Sequence, residues 1–121
     1  MKRKLAEAIG EFGSLHGSAT SFLLVPRAAG WMVTVDWWTP DEVVVTAGPG
    51  YRERIAGLDD EGFEAVLEVV SAIIDGDCEL LYAVEDGHWT KSGQHVWYRR
   101  GERRSGVPSD EDVRVRAPRW D

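Results

Sequence analysis

The segment from Phe63 to Ile74 constrains the fold more than any other part of the chain. Its residues Phe63, Val66, Leu67, Val70, Ile73 and Ile74 fall at i, i+3, i+4, i+7, i+10 and i+11, the spacing of a helix with one buried face. Leu58 leads into it, Asp59 or Asp60 is placed to cap its first turn, and Gly76 is placed to end it in left-handed backbone. A helix with one apolar stripe must lie against another apolar layer, and the segments on both sides of it read as strands. Before it, Thr20–Val25 is a short apolar run closed by Pro26. Trp31, Val33, Val35 and Trp37 then alternate with Met32, Thr34, Asp36 and Trp38, and Glu42–Ala47 is a β-branched run ended by Gly48-Pro49-Gly50. After the helix, Cys78–Glu85 and Gln94–Arg100 read as hairpin strands around an Asp86-Gly87 turn.

At the start of the chain, Leu5, Ile9 and Phe12 mark one face of a short helix over Lys2–Phe12. Gly10, Gly13 and Gly17 follow it as a flexible connection ending near Ala19. The expected architecture is therefore α+β, a mostly antiparallel sheet of about five strands with two helices in the order α-β-β-β-α-β-β. Residues 1–100 form a single domain in this reading. Residues 101–121 are a charged tail in which Val113 and Val115 either make a short edge strand or stay mobile.

Composition narrows the function classes. A chain of 121 residues, 43% hydrophobic, fits one core, and no apolar stretch reaches the ~20 residues of a membrane span. The basic start Met1-Lys2-Arg3-Lys4 runs into Glu7, Gly10 and Glu11 and not into a signal-peptide core, so a cytoplasmic location is expected. The single cysteine, Cys78, forms no intrachain disulfide and excludes multi-cysteine zinc sites. No metal site and no cofactor are expected, since His16, His88 and His95 lack ligand spacing.

The formal charge of −7 is unevenly placed: +1 over residues 1–40, −11 over 41–90 and +3 over 91–121. Such a field repels phosphate backbones, which disfavours nucleic acid and suits a basic protein partner. Glu61, Glu64 and Glu68 lie at i, i+3 and i+7 on the predicted second helix, with no Lys or Arg between Arg54 and Lys91. Like charges so spaced do not help the helix, so the stripe is either a solvated face or a docking surface. Met32 and Trp38 share the strand face opposite Val33 and Val35, which is either covered by the first helix or left as a binding patch.

For chemistry the candidates are few. Cys78 sits among Asp75, Asp77 and Glu79, whose charges suppress a thiolate. Asp36, His95 and Glu85 could converge on a pocket in an enzyme or ligand-binding reading. Gly48-Pro49-Gly50-Tyr51-Arg52 lacks the Lys-Ser/Thr of a phosphate loop and reads as a turn. The cluster Arg99, Arg100, Arg103 and Arg104 is either a charged sheet edge or a head-to-tail contact for the acidic half of a second copy, and a structural homodimer joined through its sheet is a separate alternative. In element order, this acidic chain resembles the small chaperones of secretion substrates and some immunity proteins that neutralise bacterial toxins. The resemblance implies a bacterial protein that masks a partner surface without catalysis. The leading expectation is thus a non-enzymatic acidic binding module contacting a basic partner through Glu61, Glu64, Glu68, Met32 and Trp38.

Overall fold

The computed structural model of the protein describes residues 1–56 and 60–121, so the cap expected at Asp59 and its neighbour Leu58 lie outside the described residues. The fold is α+β with two helices and two antiparallel sheets. Its elements are α1 (Lys2–Ile9), β1 (Gly13–Ser18), β2 (Ser21–Pro26), β3 (Val33–Thr39), β4 (Glu42–Ala47) and β5 (Tyr51–Ala56). There follow α2 (Asp60–Ile74), β6 (Cys78–Glu85), β7 (His88–Tyr98), β8 (Gly101–Gly106) and β9 (Val113–Arg116). The single sheet and the α-β-β-β-α-β-β order expected from sequence are corrected: strands β1 to β5 form one meander, and β8-β7-β6-β9 form a second sheet.

The differences have local causes. α1 stops at Ile9, because Gly10 takes a φ of 55°, and Phe12 falls outside the helix. The stretch expected to be a flexible connection is β1, paired with β2 from Gly13↔Pro26 to Ser18↔Ser21. Its glycines, which hid it, are what let it lie close: a Cβ on Gly17 would stand 2.1 Å from the Ser21 carbonyl oxygen. β5 begins at Tyr51, inside the stretch expected to be a turn, since Arg52 and Arg54 mask an alternation in which Tyr51 and Ile55 point inward. β7 begins at His88 and ends at Tyr98, which places Arg99 and Arg100 in the turn to β8.

The core lies between the meander and α2. Phe22, Leu24, Val33, Val35, Val43, Val45, Tyr51 and Ile55 are buried on the inner face, opposite Val66, Val69, Val70 and Ile73 of α2. Trp37 joins them, its ring 6.1 Å from Phe22 and 6.4 Å from Phe63, which puts Val33, Val35 and Trp37 under α2 as the alternation implied. α1 packs on α2 and β1 through Leu5 and Ile9, so it does not cover Met32 or Trp38. α2 ends in a Schellman turn: the Gly76 N–H donates to the Ile73 carbonyl, the Asp77 N–H to Ala72, and Gly76 has φ 78°.

The second sheet is joined to the meander by a polar seam. Gln94 is buried, and its side chain acts as an extra strand residue for β5. Its Oε1 accepts from the Arg52 N–H at 3.1 Å, and its Nε2 donates to the Arg52 carbonyl at 2.5 Å. Lys91 Nζ donates to the Gly50 carbonyl at 2.7 Å, and Arg103 pairs with Glu53 at 3.0 Å. The chain end closes the other side: Trp120 is buried against Gly13 and Gly30, and its indole N–H donates to the Trp31 carbonyl at 3.2 Å. A Cβ on Gly30 would lie 2.3 Å from that indole, so the seat requires glycine.

Residues 107–112 cross over the second sheet from β8 to β9. This strap is held by Asp112, which accepts from the Ser92 hydroxyl at 2.6 Å and the Ser109 N–H at 2.8 Å.

Candidate functional site

The five residues expected to form one docking surface are split by the fold. Glu64 and Glu68 stand on α2, over the inner face of the meander, while Met32 and Trp38 are on its outer face, 54% and 51% exposed. The side chain of Glu61 lies outside the described residues. Met32 and Trp38 are six residues apart along one strand direction, roughly 20 Å, so even these two make no common patch.

The helix stripe is also not unneutralised. Arg100, in the β7–β8 turn, donates from Nε to Glu68 at 2.6 Å and from Nη2 to Glu64 at 2.9 Å. Its hydrogen bonds to Glu64 and then Glu68 hold this guanidinium still more firmly protonated than usual. Sequence reasoning correctly saw no cation nearby in the chain but could not see one brought back from 32 residues away.

Four more arginines of the last third are used in the same way. Arg103 pairs with Glu53, Arg114 with Glu79 at 2.7 Å and Arg116 with Asp77 at 3.2 Å. Arg104 pairs with Glu102 at 3.4 Å. Of the cluster Arg99, Arg100, Arg103 and Arg104, the last three thus face carboxylates of their own chain. Trp38 is flanked by cations: the Arg52 and Arg54 guanidinium carbons stand 4.8 and 5.4 Å from its ring centroid, and Arg54 also pairs with Glu42 at 3.1 Å.

The groups considered for catalysis do not converge. Asp36 is on the outer face of the meander, accepting from the Ser21 hydroxyl at 2.5 Å. His95 is on the second sheet, with Nε2 2.8 Å from Glu102 and Nδ1 3.9 Å from Glu79. The hydrogen bond with His95 holds the Glu102 carboxyl below its ordinary range. Glu85 lies near the exposed β6–β7 turn. Burial, with Glu79 beside it, pushes the Cys78 thiol up to about 12, which leaves it protonated and unreactive at neutral pH. Among the described residues no group of three or more His, Cys, Asp or Glu is placed to hold a metal ion. No helix in that part is long and apolar enough to cross a membrane.

What remains is the far end of the second sheet, which the sequence reading passed over. β6 and β7 run past both neighbours, since β9 begins opposite Tyr82 and β8 ends opposite Gly93. Pro108 has no N–H to extend the β8 ladder. Residues 83–91 therefore form a two-stranded arm closed by Asp86 and Gly87, at φ 52° and 79°. The signal that could have found it was the Asp-Gly turn together with Trp89, a large aromatic only two residues beyond it. No known protein family, curated protein or solved structure matches this sequence.

Proposed function

We propose that this protein is a non-enzymatic, acidic protein-binding module that masks a positively charged surface on another protein. The observation that carries the reading is where the cations go. Arg100, Arg103, Arg114 and Arg116 each face a carboxylate of their own chain, so the excess of seven negative charges is left to the rest of the surface. A protein of this kind gains association rate from its field and holding power from buried apolar anchors. The observed order, with five strands ahead of the second helix, departs from the one on which the likeness to immunity proteins and secretion chaperones rested. The reading therefore stands on charge and exposure alone.

The test is kinetic. A partner captured from native extract and then purified is expected to associate about tenfold faster or more at low salt than at physiological salt, with dissociation little changed. An association rate independent of salt, or a captured partner that is itself acidic, would remove the reading.

A further inference from the structure

Resting on that reading, we propose that the partner docks on the arm, where a Lys/Arg-rich segment carrying an apolar side chain lies against Tyr82, Val84 and Trp89. Three surfaces compete for a basic partner, and charge decides among them. On α2, Glu64 and Glu68 are already bridged by Arg100. On the outer face of the meander, Trp38 lies under the guanidinium groups of Arg54, which pairs with Glu42, and of Arg52, which has no ion pair among the described residues and repels a cation. At the arm, Glu85, Asp86, Asp110 and Glu111 lie at the same end of the second sheet and make no ion pair among the described residues. The nearest cation, Lys91, is turned inward onto the Gly50 carbonyl and Gln94.

The apolar part of the site follows from register. Val84 is directly opposite Trp89 and Tyr82 directly opposite Val113, so all four share the face that farther along carries buried Leu80. The Tyr82 and Trp89 rings are 5.7 Å apart, which confirms the common face. Tyr82 reaches the Gly50 turn, and past that point nothing of the meander covers the face. Trp89 is 57%, Val84 44% and Val113 37% exposed. A core-type face thus continues into solvent, with Asp86 at its tip and with Glu85 on the reverse of the same two-stranded ribbon, beside Ala83, His88 and Thr90, so the negative field surrounds the anchor from the turn and from behind.

The intact protein is used to select 12-residue peptides from a randomised displayed library, and the selected peptides are titrated into isotopically labelled protein. We expect enrichment of Lys and Arg beside one large apolar residue, with amide shifts confined to residues 82–91 and 110–113. Trp89→Ala should weaken binding at least tenfold, about 1.4 kcal/mol, and Trp89→Phe should restore most of it. Glu85→Gln with Asp86→Asn, which keeps a side chain suited to positive φ, should weaken binding about threefold at low salt and less at high salt. An unchanged spectrum outside the arm shows that each variant is folded. Shifts mapping to Trp38 or to α2, with Trp89→Ala binding normally, overturn the arm as the site but leave the acidic module standing. Failure to enrich basic peptides, or binding indifferent to salt, overturns both.

Discussion

β6 and β7 run through two environments. Over Cys78–Leu81 and Gln94–Val96 they are sealed by α2, the β5 edge and the returning chain end, and Cys78, Leu80 and Val96 are fully buried. Over residues 83–91 the same two strands, now shifted by one residue through an irregularity between Leu81 and Tyr82, stand in water. Both halves are antiparallel pairs, and what distinguishes them is the flanking strands and the layer that cover only the first. An isolated two-stranded ribbon is marginal in water, and this one is sustained by its turn, one aromatic pair and its continuity with the sheet behind it.

That contrast is most easily broken at Trp120. If the sealed half depends on the chain end, Trp120→Ala should cost about 3–5 kcal/mol in urea unfolding, by emptying the seat formed by Gly13 and Gly30. Trp89→Ala in the arm should cost far less. Equal costs would mean that the chain end is not part of the core.

A smaller effect is expected at the seam. Gln94→Leu keeps the volume but leaves the Arg52 N–H and carbonyl without their partner, a loss of about 1–3 kcal/mol. Amide exchange should then quicken along β5 and the middle of β7 together. A change confined to β7 would show that the two sheets are not coupled through this amide.

The mildest test is chemical. With its folded pKa raised, the Cys78 thiol contributes stability that is complete below its ordinary value near 8.5 and is lost as pH rises toward about 12. At pH 8 alkylation should follow global unfolding, slowing in step with added stability. Rapid labelling of native protein would place Cys78 outside the sealed half.

Legibility followed the range of the cause. Cys78–Glu85 and the turn after it are visible in the sequence, because β-branched and apolar residues and an Asp-Gly pair act within a few positions. α2 is visible for the same reason, through its period. β8, Gly-Glu-Arg-Arg-Ser-Gly, carries no apolar alternation and is a strand because β7 offers it a ladder from Gly93 to Tyr98. β1 is hidden by the glycines that its close approach to β2 demands. The pairing of the acidic stripe is hidden in the sequence, because the stretch around it holds no Lys or Arg and Arg100 reaches Glu64 and Glu68 from another element.

By itself the sequence determined the α+β class, the amphipathic helix, the hairpin and the surplus of carboxylates, all of which depend on composition or on neighbours a few residues apart. Only the tertiary structure decided that there are two sheets, which face of each is covered, and which carboxylates keep a free charge. The reason is physical: burial and ion pairing act between groups close in space, and the separation of Arg100 from Glu64 along the chain, 36 residues, carries no trace in local pattern.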